Sequence, residues 1–304
     1  MTHVGQPIAT GGATTTPTVI DVRDLNFSYP KAAEPAVTNM TFSVRSGEIF
    51  GFLGPSGAGK STTQKILIGL LPDGQGTVRV WGKTPREWGN SYYERIGVSF
   101  ELPNHYRKLT ALENLRFFAS LYSGATEDPM ALLERVGLAD DAHTQVGRFS
   151  KGMQTRLTFV RALLNRPELI FLDEPTSGMD PRNARIVKDM IAELRDQGRT
   201  VFLTTHDMAT AEELCDRVAF VVDGRIAILD SPAELKLARS KRTVRVQYRC
   251  TEGAPLETAE FALDGLADDE ALHTLLRQAR VESIHSQEAG LNDVFVEATG
   301  RSLT

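Results

Sequence analysis

The chain has 304 residues, of which 41% are apolar and 24% are charged, and its formal net charge is −5. This balance is typical of a globular protein with ample core material, and the acidic charge argues against broad binding to nucleic acid. No apolar run approaches the ~18 residues of a membrane-spanning helix, and two distant cysteines, Cys215 and Cys250, favour reduced thiols in a cytosolic protein over a metal site.

The N-terminal part of the chain predicts a tail followed by strands. Residues 1–16 are rich in Thr, Gly and Ala and lack both a basic start and an apolar block, so we expect a disordered tail rather than a signal peptide. Residues 18–48 contain two alternating segments, at 19–22 and 41–44, which read as antiparallel strands. The apolar run at 49–53 then predicts a buried strand.

A phosphate-binding loop follows that strand. It matches G-x-x-x-x-G-K-[ST] and consists of Gly54, Pro55, Ser56, Gly57, Ala58, Gly59, Lys60 and Ser61, with Thr62 directly after it. The glycines let successive N–H groups point at phosphate oxygens, and a predicted helix begins at Lys60. Lys60 is expected to reach the β- and γ-phosphates, and the Ser61 hydroxyl to bind Mg²⁺.

Further along, a helical region gives way to alternating strands and helices. Residues from about 102 to 166 have helical character, with a capping box at Thr110 and Glu113. The run at 169–172 then predicts a buried strand that ends at two carboxylates. Asp173 is placed to hold Mg²⁺ beside Ser61, and Glu174 to orient and deprotonate an attacking water. The next predicted strand, 200–205, ends at His206, for which a γ-phosphate contact is favoured over a structural role.

Ser150 and Gly152 indicate a second phosphate-binding surface. Ser150 is a good helix N-cap, and a Gly close behind it leaves free N–H groups at the positive end of the helix dipole.

As an ordered set, these motifs resemble the ATP-binding subunits of ABC transporters over roughly residues 18–232. Tyr29 is similar to the aromatic residue that stacks on adenine, residues 149–153 (the signature segment) resemble the LSGGQ signature in its drug- and lipid-export form, and residues 177–180, which end at Asp180, resemble the D-loop. The resemblance implies ATP and Mg²⁺ as cofactors and a head-to-tail dimer of two copies. In that dimer the phosphate-binding loop of one copy and the signature segment of the other enclose each ATP.

The resemblance also implies a separate integral-membrane permease as partner, no nucleic acid, and a location on the cytoplasmic face of the cell membrane. Amphipathic antibiotics of the anthracycline or fluoroquinolone type, or lipids, are the expected cargo.

These observations predict an α/β fold of the P-loop NTPase type with a mostly parallel sheet, an N-terminal antiparallel β subdomain and a helical insertion at about 102–166. We expect the ATP-binding domain to span 17–238. A basic linker at Arg239, Lys241 and Arg242 then begins a small α+β extension at 239–304, with a strand at 244–248 and a helix around 268–280.

The Q-loop contains the main departure from the family pattern; Phe149 in place of Leu and Lys151 in place of Gly in the signature segment are milder changes. Glu101 stands where the family carries the Q-loop glutamine, and no glutamine occurs between Asn90 and Asn114. Our hypothesis is that Glu101 keeps a metal-sensing role with altered pH or Mg²⁺ dependence, since a carboxylate can also bind Mg²⁺.

Two alternatives to a transport ATPase stay open from the sequence. The first is a soluble ATPase of the same type that acts on nucleic acid or ribosomes, and the second is a regulatory subunit that binds ATP with weak hydrolysis. Glu174 and His206 weigh against the second, and the absence of a second cassette or a Cys-rich zinc module weighs against the first.

Overall fold

A computed structural model describes residues 16–239, 243–251, 253–286 and 289–301. The predicted disordered tail, apart from residue 16, and the linker residues Lys241 and Arg242 lie outside the described residues.

The helices and strands up to residue 119 are β1 (Thr18–Phe27), β2 (Val37–Arg45), β3 (Ile49–Leu53), α1 (Lys60–Ile68), β4 (Gln75–Val80), α2 (Pro85–Trp88), α3 (Ser91–Arg95), β5 (Ile96–Ser99) and α4 (Ala111–Ala119). Those from 129 to 239 are α5 (Pro129–Arg135), α6 (Lys151–Arg161), β6 (Leu169–Asp173), α7 (Pro181–Asp196), β7 (Thr200–Thr205), α8 (Met208–Leu214), β8 (Arg217–Val222), β9 (Arg225–Asp230) and α9 (Pro232–Arg239). The C-terminal part contains β10 (Thr243–Arg249), β11 (Glu257–Ala262), α10 (Glu270–Gln278), β12 (Arg280–Ser286) and α11 (Leu291–Thr299).

A six-stranded sheet, the central sheet, organises the molecule. Its strand order is β5-β6-β7-β3-β8-β9, and β9 is antiparallel to β8 while the other pairs are parallel. All residues of β3, β6 and β7 are buried, as expected for parallel strands covered on both faces. The prediction of an α/β fold with a mostly parallel sheet is therefore confirmed.

The two faces of the central sheet support separate cores. On β3, Ile49 and Leu53 contribute to a core shared with helices α4 to α8. Phe50 and Phe52 point to the opposite core, which the antiparallel sheet β2-β1-β4 covers. Alternation along one buried strand thus fixes helices α4 to α8 on one face and the predicted β subdomain, together with α1, on the other.

The helical insertion is present and begins as the sequence predicts. The Thr110 hydroxyl accepts a hydrogen bond from the Glu113 N–H at 3.2 Å, and the Glu113 carboxylate accepts one from the Thr110 N–H at 2.8 Å. Asp128 caps the N-terminus of α5, and Pro129 is the first residue of that helix.

The C-terminal extension forms its own small unit, residues 243–286, with an antiparallel sheet of order β11-β10-β12. Val244 and Val246 of β10 pack against Leu272 of α10 in a separate minor core. This sheet and helix form an α+β appendage of the predicted kind, whereas the predicted extension, 239–304, also includes α11, which packs in the main core.

The last helix, α11, packs elsewhere. Its apolar residues Leu291, Val294 and Phe295 are buried in the main core with the helical insertion, at the i, i+3, i+4 spacing of one helix face. The Phe295 ring packs edge-on against Phe220 of β8, with ring centroids 5.3 Å apart. Just beyond the helix, the Arg301 guanidinium contacts the Asp223 carboxylate in the β8–β9 turn at 2.7 Å.

The sequence did not predict β5, an edge strand of the central sheet. It is four residues long and contains Gly97, so its pattern is too short to stand out from the loop around it.

Within the part of the chain that the structure describes, no helix has both the length and the apolar character needed to cross a bilayer.

We expect Phe295→Ala to destabilise the ATP-binding domain itself, because it removes a fully buried ring from the main core. The free energy of unfolding, measured by denaturant titration, should fall by about 3–5 kcal/mol. Val296→Ala is the matched control, since this neighbouring side chain is 42% exposed, and it should change stability by less than about 0.5 kcal/mol. Equal effects of the two substitutions would contradict the packing of α11 in the main core.

Candidate functional site

A cavity of about 430 Å³ lies at the carboxyl-terminal edge of the central sheet. It is lined by Tyr29, Ala36, Ser56, Gly57, Gly59, Lys60, Ser61, Thr62, Glu101, Asp173, Glu174 and His206. Residues from five predicted motifs therefore meet in one place. Among the predicted site residues, Gly54, Pro55, Ala58, Ser150, Gly152 and Asp180 do not line it.

The phosphate-binding loop connects β3 to α1 and lies against the rest of the domain by its backbone. Gly59 has φ of +100°, and a Cβ atom there would come within 2.5 Å of the Ala36 carbonyl oxygen. A Cβ on Gly54 would meet the Val221 carbonyl oxygen at 2.1 Å. Only glycine tolerates both the conformation and the close approach, so these positions fix the curl of the loop.

Lys60 is held at the centre of the loop. Its ammonium donates hydrogen bonds to the carbonyl oxygens of Gly54 at 2.6 Å and Pro55 at 2.9 Å. Burial lowers the pKa of Lys60, and the nearby carboxylates of Glu174, Asp173 and Glu101 oppose this shift. The Lys60 ammonium is thus held in place by backbone carbonyls and near three carboxylates. As a compact charge it is suited to binding phosphate oxygens.

Ser61 and Asp173 bring two oxygen donors side by side in the cavity. The Ser61 hydroxyl donates to Asp173 Oδ2 at 3.2 Å, and Asp173 Oδ1 accepts a hydrogen bond from the Thr204 hydroxyl. The described residues contain no cluster of three or more His, Cys, Asp or Glu side chains suited to a metal. Two hard oxygen donors beside a phosphate cavity fit Mg²⁺, which keeps several waters and takes further ligands from substrate phosphates.

Glu174 and His206 form a hydrogen-bonded pair across the ends of β6 and β7. Glu174 Oε1 accepts the His206 N–H at 2.9 Å and lies 2.6 Å from His206 Nδ1, while Oε2 accepts the Thr205 hydroxyl at 3.0 Å. Glu174 has φ of +48°, an uncommon conformation for a residue with a side chain. The carboxylate is thus fixed by three hydrogen bonds at the wall of the cavity.

Tyr29 lies at the outer end of the cavity. Its ring packs edge-on against Phe27 with centroids 5.1 Å apart, and its hydroxyl is 3.2 Å from the Thr62 hydroxyl. The side chain is 38% exposed. An anchored ring with an open face is suited to stacking on a flat base such as adenine.

Glu101 follows β5 and lines the cavity, and the segment after it is attached to α6. The Asn104 side-chain oxygen accepts a 2.5 Å hydrogen bond from the Arg161 guanidinium, and His105 Nε2 lies 2.9 Å from the Thr158 hydroxyl. Burial, with the neighbouring Arg161 charge, lowers the pKa of His105 to about 4, so this ring is neutral at pH 7. The cavity wall at Glu101 is thereby joined to the helix that carries the signature segment.

Ser150, Gly152 and Asp180 lie together, away from the cavity. The Ser150 hydroxyl accepts the Met153 N–H at 3.2 Å as N-cap of α6, and Asp180 caps α7 through the Asn183 N–H at 3.1 Å. A Cβ on Gly152 would lie 3.2 Å from the Gly178 carbonyl oxygen. The signature segment and the D-loop segment therefore form one contiguous surface that does not reach the cavity of its own chain.

The sequence analysis missed three contributors to the site. Ala36 lines the cavity from the loop before β2, and Thr204 and Thr205 orient the two carboxylates. The threonines carry a signal that could have been used: two hydroxyl residues end a buried strand just before His206. Ala36 carries none, because its position depends on how the loop folds over the domain.

Comparisons with known proteins agree with this geometry. The family description "ABC transporter" matches residues 37–177, and "Fluoroquinolone efflux ABC transporter C-terminal domain" matches residues 242–288. The chain is 72% identical to a fluoroquinolones export ATP-binding protein of Mycobacterium tuberculosis, over 94% of this chain and 95% of that protein. It is 35% identical to Nod factor export ATP-binding protein I of Burkholderia pseudomallei, over 88% of this chain and 93% of the relative.

Solved structures resemble the ATP-binding domain. One, an ATP-binding subunit of an ABC transporter, has a TM-score of 0.66 and 30% identity, and the match covers 73% of this chain and 93% of that one. Another, a dimeric post-hydrolysis state of an ATP-binding cassette with ADP and Pi, has a TM-score of 0.65 and 27% identity, over 70% of this chain and 98% of that one. Taken with the residues in the cavity, these similarities show that the chain belongs to the family of ATP-binding subunits of ABC transporters.

Proposed function

We propose that this subunit hydrolyses ATP to power the export of fluoroquinolone-type drugs through a separate membrane permease. The observation that carries the proposal is the shared cavity, in which Lys60, the Ser61–Asp173 pair and the Glu174–His206 pair converge. The drug class is supported by the 72% identical relatives, which are named for fluoroquinolone export. The Glu174–His206 pair supports ATP hydrolysis. The match of the C-terminal residues to a fluoroquinolone efflux domain supports the drug class.

Each residue has a defined part in hydrolysis. The N–H groups of the phosphate-binding loop and the Lys60 ammonium hold the phosphates, and Tyr29 supports the base. The Glu174 carboxylate orients the attacking water and accepts its proton, because Oε2 keeps an acceptor position beyond its bond to Thr205. His206 holds that carboxylate through Nδ1 and lies close enough to the cavity to contact the γ-phosphate.

Mg²⁺ would be held by the Ser61 hydroxyl and the Asp173 carboxylate, and Glu101 lines the same cavity. When bound, the ion neutralises charge on the β- and γ-phosphates. Glu101 adds a negative charge beside Lys60 that a glutamine would not, as its contribution to the pKa of Lys60 indicates.

A second copy of the chain completes the site. Ser150, Gly152 and Asp180 lie outside the cavity of their own chain, so they would contact ATP only from a head-to-tail partner. The free N–H groups at the start of α6 and its positive dipole end suit the γ-phosphate that one copy leaves exposed. ATP would then favour the closed dimer by binding both surfaces, and hydrolysis would release it.

The permease partner is supported by an exposed apolar group near Glu101. The side chains of Leu102, Tyr106, Phe117 and Leu121 are between 40% and 76% exposed, and the Tyr106 and Phe117 rings pack edge-on at 5.0 Å. Apolar side chains grouped on a surface are typical of protein contacts. We propose that a cytoplasmic segment of the permease binds here, which would locate the subunit on the cytoplasmic face of the membrane.

The first test is ATP-driven drug uptake into inverted vesicles that contain the subunit and its permease. Glu174→Gln should lower phosphate release and uptake together by about 100-fold or more, because the amide cannot accept the proton of water. ATP binding should persist. Glu168→Gln, at an exposed ion pair with Arg95, is the control and should leave both rates within about twofold. Normal phosphate release without drug uptake would refute the proposed cargo.

The dimer can be tested through Ser150. Glu174→Gln should dimerise when ATP is added, as measured by sedimentation, since it binds ATP without releasing it. The added Ser150→Asp should keep the protein monomeric: Asp is an equally good N-cap, so α6 is preserved, but its charge repels the partner's phosphates. Dimerisation of this double variant at unchanged ATP concentration would contradict the proposed arrangement.

Glu101 predicts an altered metal requirement. Glu101→Gln removes one negative charge facing the metal position, so the Mg²⁺ concentration for half-maximal phosphate release should rise about two- to fivefold. Glu101→Asp keeps the charge and should lie closer to the wild type. Unchanged Mg²⁺ and pH dependence of Glu101→Gln would refute the metal-sensing role.

A further inference from the structure

A second cavity, of about 660 Å³, lies in the C-terminal unit between β10 and α10. Its wall includes Tyr248 and Cys250 at the end of the strand and Ala271, Thr274 and Leu275 on one side of the helix. The volume falls within the range of sites for small organic molecules. The cavity shares no residue with the nucleotide cavity.

Its floor is apolar and carries one aromatic ring. Ala271 and Leu275 lie one turn apart on the same face of α10, and Ala279 follows directly after the end of the helix, so the three supply the apolar part of the lining. The Tyr248 ring stands opposite, and its orientation is fixed because its hydroxyl donates to Glu257 Oε2 at 3.0 Å. A held aromatic ring facing small aliphatic side chains suits a flat aromatic molecule.

The charged side chains that line this cavity, or that contact its lining residues Tyr248 and Cys250, are carboxylates. Glu270 lines it, and the Glu257 carboxylate lies directly behind Tyr248 and Cys250. No Lys or Arg belongs to the described lining. The nearest basic residue along β10, Arg249, is turned to the Ala254 carbonyl oxygen and to Glu282 at 3.4 Å. A positively charged ligand is therefore favoured over an anion.

We propose that this cavity binds a small aromatic molecule that carries a cationic amine. The aromatic part lies on the Ala271–Leu275 surface against Tyr248, and the amine faces Glu270. Tyr248 adds a cation–π contribution where the amine approaches the ring face. This site goes beyond the proposed function, because it lies outside the nucleotide cavity, the dimer surface and the proposed permease contact.

The test uses two fluorescent dyes with the same xanthene core and opposite charge. Rhodamine 6G is an aromatic cation, and fluorescein is an aromatic anion. In anisotropy titrations of the full chain, rhodamine 6G should bind saturably at one site, and fluorescein at least about tenfold more weakly. Saturating ATP should leave the rhodamine 6G affinity within about twofold, since the two cavities share no residue.

Variants locate the binding to the cavity. Ala271→Trp fills it and should abolish binding, and Glu270→Gln should weaken binding about three- to tenfold. Glu260→Gln is the matched control, because Glu260 pairs with Arg245 at 2.9 Å on the other face of the sheet, and it should bind as the wild type does. ATP binding and the thermal midpoint of each variant show that the fold is intact, and Thr274→Phe replaces Ala271→Trp if that variant unfolds.

Three results would overturn the proposal: absence of rhodamine 6G binding, equal affinity for fluorescein, or unchanged binding by the variants that fill the cavity. None of them would affect the ATPase or transport assays of the proposed function, so the two can fail independently.

Discussion

Parallel pairing of β6, β7 and β3 is the constraint on which the site depends. In this order the carboxyl ends of three adjacent strands meet at one edge of the central sheet, with Asp173 opposite Thr204 and Leu53 opposite Thr205. The phosphate-binding loop, the carboxylate pair and His206 are each the continuation of one of these strands. A slip of any strand by one residue would turn its buried side chains to the wrong core and move its catalytic end. The register of these strands therefore determines the geometry of the active site.

The strands and loops with strong local signals could be predicted from the sequence. Apolar runs, capping residues and the phosphate-binding loop each indicate their structure through a few neighbouring residues. The capping box of Thr110 and Glu113 is an example. The sequence could not predict which core α11 packs against. Its amphipathic pattern shows that one face of the helix is buried, but the pattern does not identify the core that covers this face. Glu101 was found only by its place in the family pattern, and Thr204 and Thr205 matter through hydrogen bonds between strands, which a linear pattern does not display.

In the dimer that we propose, dividing the ATP site between two copies would have an energetic meaning. Lys60 and Glu174 stay hydrogen-bonded within the chain, so the ATP-binding half is ordered before a partner arrives. The signature surface is equally ordered through its N-caps at Ser150 and Asp180. Preformed halves lose little conformational entropy on closure, so the free energy of ATP binding is available for bringing the two copies together. The attachment of Asn104 and His105 to α6 joins the cavity wall at Glu101 to the helix that carries the signature segment. In the proposed dimer, a movement of that wall would therefore be transmitted to the surface that serves the other site.

Because α11 packs in the main core, the C-terminal unit lies within the sequence of the ATP-binding domain. Residues 243–286 are flanked by α9 and α11, both of which belong to the main core through Leu235 and Phe295. The ATP-binding domain is thus discontinuous in sequence, and the small sheet is an insertion within it rather than a tail behind it. A shortened chain that stops after α9 would lose part of its own core together with the extension, and its defects could not be assigned to the small unit. Excising 243–286 and rejoining the flanking helices is the change that separates the two.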